Sequence, residues 1–228
     1  MSLRLLALDT TSEFGSIALS EGDRVVEEVA IESPDGFGHV LFDEILRLLK
    51  RHDLELRDLD GFAAAAGPGS FTGVRVGLTA IKGLAEANER RAVAVSNLQA
   101  LAYFGSRPLR ATVLDARRGE IYGGVYDSSL NLVGEETVIA FDAWLERLAT
   151  LPRNELEVIA CGFDASSSGY PWVQAPRAIA GAVARIAARR FQEGCAQDPA
   201  EIEANYVRRS DAELLWRDPR VATPSSKS

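Results

Sequence analysis

The sequence predicts an α/β protein with mixed β-sheets, and three features lead to this class. Three strands fall within the first 32 residues with only short turns between them, which predicts an antiparallel hairpin edge. A short apolar strand at 62–66 then runs into the turn Gly67-Pro68-Gly69, and a helix over 72–88 follows. Beyond this glycine corner, which comprises residues 67–77, strands and helices alternate as they do in parallel crossover connections.

The first half of the chain predicts the order β-β-β-α-β-α-β. We expect strands at 3–8, 15–19, 24–32, 62–66 and 91–96, and helices at 39–51, 72–88 and 97–104. Continuously apolar residues predict that strand 62–66 is covered on both faces. Ser70 or Thr72 is expected to cap the following helix, because a hydroxyl accepts a hydrogen bond from a free backbone N–H. This order is compatible with a half-domain of the actin and sugar-kinase class.

The second half of the chain begins again with a strand. We expect strands at 111–115, 120–126 and 157–161, an extended segment at 132–139, helices at 141–151 and 176–194, and a loop at 164–176. The turn at 105–108 marks a boundary between two predicted subdomains, 1–104 and 105–216. Residues 217–228 are small, polar and without periodicity, so we predict a disordered tail there.

Composition excludes several classes of function. The net charge is −8, from 25 basic and 33 acidic residues, which argues against an extended surface that binds nucleic acid with high affinity. The longest apolar stretch, at 178–188, contains Arg185 and is too short for a membrane span. We expect a cytoplasmic protein, because the apolar run 3–8 is followed by Asp9 and a polar turn rather than by the small-residue cleavage site of a secretory leader. Cys161 and Cys195 are too few for a disulfide framework and fit reduced thiols.

The glycine corner raises the question of phosphate binding. Its spacing does not fit the dinucleotide fingerprint, because Gly73 comes one position too late, and no P-loop lysine follows. A carboxylate at a strand end beside hydroxyls can hold hydrated Mg²⁺ near a phosphate, although a solvated hairpin turn explains the same residues. The candidate nucleotide-binding residues are Asp9, Thr10, Thr11, Gly67, Gly69 and Ser70.

Small residues in helix 72–88 predict a close contact. Gly73 and Gly77 lie on one stripe, and each glycine inside a helix costs roughly 1 kcal/mol relative to alanine. Packing is therefore expected to compensate, either against the chain's own sheet or against a second protein. The sequence leaves these two alternatives open.

The helix at 39–51 carries more apolar surface than one core requires. Leu41, Ile45, Leu48 and Leu49 form one face, and Phe42 and Leu46 widen it. A surface helix needs an apolar arc of roughly 100°, so the surplus predicts either contact with a partner or burial of the whole helix inside the domain.

Catalytic and metal-binding signals are weak. His39 and His52, the two histidines, are too far apart along the chain for a histidine-based metal site. No serine lies in a G-x-S-x-G motif, and neither cysteine has an activating neighbour in sequence. We therefore predict no catalytic residue and no metal site.

Six segments together resemble the TsaB family. They are LDTT at 8–11, GPGSFTGVRVGL at 67–78, KGL at 82–84, SNLQA at 96–100, DARRGEIY at 115–122 and ANYVRR at 204–209. The resemblance covers almost the whole chain in the same order. The family is the dimerisation subunit of the bacterial system that places a threonylcarbamoyl group on N6 of adenosine 37 in tRNA.

The resemblance implies a fold, partners and a role. The implied fold is actin-like (ASKHA, ribonuclease H-like), with two mixed-sheet subdomains. The implied partners are the catalytic subunit TsaD, the ATPase TsaE and, in isolation, a second copy of the chain, with tRNA contacted only through the complex. No cofactor is expected for the chain alone, and ATP or ADP at the partner interface is the one nucleotide expected.

The resemblance also implies a non-catalytic scaffold. In the catalytic relative, two histidines four residues apart hold the metal, whereas here His39 is followed by Asp43 at that distance. The two helices flanking the glycine corner are expected to bind the partner. The predicted interface residues are Leu41, Phe42, Ile45, Leu46, Leu49, Gly73, Val74, Gly77, Leu78 and Ile81.

Two other functions compete with this interpretation. An autonomous ATPase or kinase of the actin-like class predicts nucleotide turnover by the isolated chain. A peptidase lacks support, because no nucleophile and base pair is recognisable.

Overall fold

The computed structural model describes residues 2–33 and 36–207. In these residues the chain forms two five-stranded mixed sheets and five α-helices. Arg208 and Arg209 of the last family-like segment, and the tail predicted at 217–228, lie outside the described residues.

The first sheet contains five strands in the order β3-β2-β1-β4-β5. They are β1 (Arg4–Asp9), β2 (Phe14–Glu21), β3 (Arg24–Glu32), β4 (Gly61–Ala65) and β5 (Arg91–Val95). The pairs β1–β2 and β2–β3 are antiparallel, whereas β4 pairs in parallel with both β1 and β5. Helix α1 (Leu41–Arg51) precedes β4, and α2 (Phe71–Ala87) connects β4 to β5.

The second sheet repeats this arrangement. After α3 (Asn97–Ala102) come the strands β6 (Leu109–Asp115), β7 (Glu120–Asp127), β8 (Thr137–Ala140), β9 (Leu156–Cys161) and β10 (Trp172–Gln174), with α4 (Phe141–Leu148) after β8 and α5 (Ala180–Gln192) after β10. Their order is β10-β9-β6-β7-β8. Read from the other edge as β8-β7-β6-β9-β10, it is the order of the first sheet with β6 to β10 in place of β1 to β5. The predicted α/β fold with two mixed sheets is confirmed.

The first sheet buries both of its faces, because residues of β1 point alternately to opposite sides. Leu6 and Leu8 pack with residues of α1 and α2, whereas Leu5 and Ala7 pack with residues of α5. All four side chains have no exposed surface. This two-sided burial explains why the central strands are apolar without alternation, as predicted for 62–66.

Helix α5 follows the second sheet in the chain but packs on the first. It contacts β1, β2, β3, β4 and β5, and its apolar side chains share a core with those strands. The subdomain boundary predicted at residues 104 and 105 stays a prediction.

Several predicted elements need correction. The helix predicted at 176–194 is Ala180–Gln192, and the strand in the extended segment predicted at 132–139 is Thr137–Ala140. The segment 164–176 is not only loop, because it contains a short 3-10 turn (Ser166–Ser168) and the strand β10. The strand β10 has three residues in a segment rich in serine, glycine and proline, and three residues are too few to show the alternation that predicts a strand. The helix predicted to begin at His39 begins at Leu41, after a 3-10 turn (Phe37–His39). No helix in the described residues is long and apolar enough to cross a membrane.

The glycine corner packs directly on the loop that follows β1. Ser70 caps α2, and its Oγ accepts a hydrogen bond from the Gly73 backbone N–H at 3.3 Å. A Cβ added at Gly69 or Gly73 would overlap the backbone oxygen of Thr11 or Thr10, respectively. A Cβ at Gly77 would lie 2.5 Å from the Thr10 hydroxyl oxygen. The glycine stripe of α2 therefore serves a contact within the chain.

We predict that Gly73→Ala destabilises the protein by more than about 2 kcal/mol, because the new methyl group would overlap the Thr10 carbonyl. Gly83→Ala is the matched control, since Gly83 lies in the same helix with nothing within 4 Å of the added Cβ. That control should stabilise by up to about 1 kcal/mol through helix propensity. Urea unfolding of both variants is the measurement, and equal stabilities would contradict the close contact.

Candidate functional site

An apolar surface on α1 and α2 is the first candidate site. Phe42 and Leu46 lie one turn apart on α1 and are 51% and 55% exposed, and Phe71 at the start of α2 is 45% exposed. We call the surface around these three residues the partner face. Large apolar side chains grouped on a surface mark interaction sites more often than single exposed ones do.

A groove of about 670 Å³ runs along the partner face. Its lining comprises Gly38, Leu41, Phe42, Phe71, Thr72, Arg75, Val76, Thr79, Ala80, Gly83 and Leu84. At its rim the Arg75 guanidinium lies 3.8 Å from the centre of the Phe71 ring, and its Nε donates to the Tyr206 hydroxyl at 3.2 Å. Aromatic side chains beside an arginine are the composition typical of protein-binding surfaces.

The ten predicted interface residues differ in their exposure. Among them, Phe42 and Leu46 have well-exposed side chains, and Gly73 is half-buried. The others are buried within the chain's own core: Leu41, Ile45, Leu49, Val74, Gly77, Leu78 and Ile81. They face the first sheet because the sheet takes the larger apolar arc of each helix, although Leu41 also lines the groove. Their contact with a partner stays a prediction. Phe71 was missed, because one residue at the helix start does not alter the periodicity.

A cleft of about 580 Å³ is the second candidate site. It is lined by the ends of β1 and β6, by the glycine corner, and by residues that precede α5. Asp9 ends β1 and Asp115 ends β6, and both border the cleft. Each carboxylate accepts a hydrogen bond from the backbone N–H two residues later, from Thr11 at 2.9 Å and from Arg117 at 2.7 Å. The two halves of the fold thus bring the same local turn to one cleft.

Asp9 begins a buried chain of hydrogen bonds. Its Oδ1 also accepts from the Thr11 hydroxyl at 2.7 Å, and Asn97 Nδ2 donates to that hydroxyl oxygen at 2.5 Å. Asn97 Oδ1 in turn accepts from the Gly67 N–H at 2.9 Å, and the Gly67 carbonyl accepts from the Asn97 N–H at 2.8 Å. These contacts join the ends of β1 and β4 to the start of α3.

The structure separates the six predicted nucleotide-binding residues. Asp9, Thr11, Gly69 and Ser70 line the cleft, whereas Thr10 and Gly67 do not. The Thr10 hydroxyl donates to the Gly73 carbonyl at 2.7 Å. Both threonine hydroxyls are therefore already engaged within the chain.

Sequence reasoning missed several cleft residues. Asn97, Asp115, Arg117 and Arg177 line the cleft but were not among the predicted site residues. One signal was available, since Leu8-Asp9 and Leu114-Asp115 end equivalent strands, and a search for an internal repeat would have paired them. Arg177 carried no such signal, because the chain folds back over a long distance to place it over the Phe14 ring at 3.9 Å.

The charges in the cleft are mixed. Asp9, Glu13 and Asp115 provide carboxylates, and Arg117 and Arg177 provide guanidinium groups. Burial raises the pKa of Asp9 from its ordinary value of 3.8 to about 6, although the hydrogen bonds from Thr11 act in the opposite direction. The described residues contain no group of three or more His, Cys, Asp or Glu side chains placed to hold a metal ion.

Comparisons with known proteins connect these features. The family model described as "TsaD: tRNA N6-adenosine threonylcarbamoyltransferase" matches residues 38–217. The TsaB protein of Bacillus subtilis, named a tRNA threonylcarbamoyladenosine biosynthesis protein, is 31% identical to 94% of this chain and is covered over 98% of its own length. The chain belongs to the TsaB family. The Escherichia coli TsaB is 34% identical over 59% of this chain and 61% of its own length.

Solved structures agree with this membership. The structure titled YeaZ from Pseudomonas aeruginosa has a TM-score of 0.73 and 27% identity, covering 90% of this chain and 99% of its own. Another Pseudomonas aeruginosa protein, described as similar to peptidase YEAZ, has a TM-score of 0.77 and 26% identity over 90% of this chain and 100% of its own. The predicted family and the actin-like α/β fold with two subdomains are confirmed.

We predict that Asp9→Asn removes a pH-dependent destabilisation. Because the folded pKa of Asp9 is raised from 3.8 to about 6, the protonated carboxyl favours the folded state below pH 3.8, and this contribution is lost as the pH rises through 6. The shift corresponds to about 3 kcal/mol in total, of which about 2 kcal/mol falls between pH 4.5 and 7.5.

The free energy of unfolding of the variant relative to the wild type should increase by that amount over this range. Chemical denaturation at both pH values is the measurement. Thr10→Val, which leaves the carboxyl in place, is the control and should keep the wild-type pH dependence. Parallel pH profiles of Asp9→Asn and wild type would contradict the raised pKa.

Proposed function

We propose that the chain is the non-catalytic, dimerisation subunit for N6-threonylcarbamoylation of adenosine 37 in tRNA, and that it binds the catalytic subunit TsaD through the partner face. The observation that carries the proposal is the pair of exposed apolar side chains, Phe42 and Leu46, beside a groove that residues 2–33 and 36–207 leave open. The names of its relatives place the system in tRNA threonylcarbamoyladenosine biosynthesis.

The chemistry of the partner face suits a helical partner. Phe42 and Phe71 supply aromatic anchors, and Arg75 supplies a polar rim, which is the usual anatomy of an interface hot spot. Two helices that share one surface, as α1 and α2 do, can pack against a second helix pair by fitting ridges into grooves. A second copy of the chain offers the same face, so we also propose a homodimer in the absence of TsaD. TsaE joins the assembly in this proposal.

A scaffold role agrees with the lack of a histidine pair at the position where the catalytic relative holds its metal. His39 is exposed and Asp43, four residues later, takes the place of the second histidine of the catalytic relative. The cysteines Cys161 and Cys195 are unpaired, which fits the reducing cytoplasm where we propose that the subunit acts.

One observation favours a second candidate, an autonomous nucleotide-binding ATPase or kinase. The cleft is large enough for a small ligand and contains Asp9 at the end of β1. Against it, the hydroxyls of Thr10 and Thr11 already hydrogen-bond within the chain. ATP or ADP at the interface with the partner remains part of the first proposal.

We predict that Phe42→Asp weakens binding to the catalytic subunit by about 30-fold or more, because losing a central aromatic anchor costs about 2 kcal/mol. Leu132→Asp is the matched control, since Leu132 is 43% exposed but lies outside the groove. Co-elution and calorimetric titration of the two purified proteins are the measurements. Unchanged affinity of Phe42→Asp, with a fold preserved by circular dichroism, would contradict the proposed interface.

We also predict that tRNA modification requires this chain and that the isolated chain does not turn over ATP. Reconstitution with TsaD and the remaining components should lose modified tRNA when the chain is left out and regain it when the chain is added. A phosphate-release assay on the isolated chain is the companion measurement. Saturable ATP turnover by the isolated chain would favour the second candidate, and full modification without the chain would refute the first.

A further inference from the structure

A pocket lined by arginines lies away from both sites described above. It has a volume of about 400 Å³ and is built from the second half of α5, the end of α3 and the turn between β7 and β8. Its lining comprises Asp23, Gln99, Tyr103, Ser129, Leu130, Asn131, Arg185, Ile186, Arg189, Arg190 and Glu193, and we call it the arginine pocket.

The arginine pocket and the partner face belong to opposite sides of the first sheet. Helix α5 packs on the side of Leu5 and Ala7, whereas α1 and α2 pack on the side of Leu6 and Leu8. A ligand in the arginine pocket therefore does not compete with a partner bound at α1 and α2.

The pocket concentrates positive charge on an acidic protein. Three guanidinium groups and two carboxylates line it, while the whole chain carries a net charge of −8. Arg189 forms an ion pair with Glu193, from Nε to Oε1 at 2.7 Å. Within residues 2–33 and 36–207, Arg185 and Arg190 have no carboxylate at ion-pair distance, although Glu193 acts on Arg190 electrostatically from farther away.

Neutral groups hold these two arginines in place. Arg190 donates to the Ala94 carbonyl at 2.6 Å and to Gln99 Oε1 at 2.7 Å. Arg185 donates to the Tyr103 hydroxyl and lies over the Tyr103 ring, 5.2 Å from its centre. A guanidinium carries five N–H donors, and these contacts use two on Arg190 and one on Arg185. The remaining N–H groups of the two arginines have no hydrogen-bond partner among the described residues, so they can donate to an anion.

Burial leaves the charge of Arg190 poorly solvated. The side chain is half-buried, and desolvation lowers the pKa of its guanidinium from the ordinary value. An anion in the pocket would compensate for the lost solvation and form the direct ion pair that Arg190 lacks.

We propose that the arginine pocket binds a phosphate group carried by a larger ligand. Phosphate presents several oxygens to neighbouring guanidinium forks, which a single carboxylate cannot do to the same extent. The volume of about 400 Å³ exceeds a bare phosphate and lies at the lower end of small-ligand sites. The phosphate group can come from a nucleotide or from the RNA backbone.

A purely structural role for the arginines is the alternative. Arg189 and Arg190 lie in the last turn of α5, where cations stabilise a helix through its dipole. Arg185 is more than one turn earlier and does not gain from that effect, which falls off within the last turn. Arg185 is therefore the residue that discriminates between the two interpretations.

The test uses the isolated full chain and three probes: pyrophosphate, ADP and unmodified tRNA. Calorimetry measures the two small probes, and fluorescence anisotropy measures labelled tRNA at two salt concentrations. The variants are Arg185→Gln and the double variant Arg185→Gln/Arg190→Gln. Arg153→Gln is the matched control, because Arg153 also lies over a tyrosine ring and donates to a neutral oxygen, that of Gly169.

We expect the wild type and Arg153→Gln to bind at least one probe, and the double variant to bind it at least 10-fold more weakly. Loss of ADP or pyrophosphate binding assigns the phosphate to a small ligand. Loss of tRNA binding alone assigns it to RNA, and the slope of log affinity against log salt should then fall by about 2, one for each arginine. No binding by the wild type, or equal binding by wild type and double variant, would overturn the proposal.

Two further measurements separate a lost site from a lost fold or a lost partner. Arg185→Lys keeps the charge without the planar fork and should show intermediate affinity at an unchanged melting temperature. The double variant should still co-elute with the catalytic subunit, since the pocket and the partner face lie on opposite sides of the sheet. If Arg153→Gln weakened probe binding as much as the pocket variants do, the loss would reflect the overall charge of the protein, and a specific pocket would be refuted.

Discussion

The close backbone contact between the glycine corner and the loop after β1 governs the rest of the structure. Gly69 and Gly73 lie so near the carbonyl oxygens of Thr11 and Thr10 that no side chain fits between them. The contact brings α2 down onto the sheet and aligns it beside α1. Without it, the exposed side chains of the two helices would not meet on one surface. The same glycines that suggested phosphate binding thus position a helix.

The contact also links the glycine corner to the cleft. Thr11, whose carbonyl lies against Gly69, donates its hydroxyl to Asp9 and accepts from Asn97. Polar groups that would otherwise face a ligand are thereby satisfied inside the chain. A buried network of this kind stabilises one arrangement of β1, β4 and α3, because each member would be costly to leave without a partner. The two threonine hydroxyls at this edge of the cleft are thus held by bonds within the chain.

The first sheet distributes different chemistry to its two sides. One side carries α1 and α2 with an apolar surface, and the other carries α5 with the arginine pocket. This division arises from β1, whose successive side chains point in opposite directions. Our two proposals accordingly use opposite sides of this sheet, one for a protein partner and the other for a phosphate group.

The sequence by itself determined most of the element order, the fold class and the family, because apolar periodicity, turn residues and six motif segments are local features. It also showed that α1 carries surplus apolar surface. Only the tertiary structure decided that Phe42 and Leu46 are the exposed part and that Leu41 and Ile45 are buried, since the position of the sheet selects which arc of a helix is covered. Likewise, Gln99, Ser129 and Arg185 have no pattern in common along the chain. They form one pocket because β-strand pairing and helix packing bring distant segments together, and no local signal encodes that proximity.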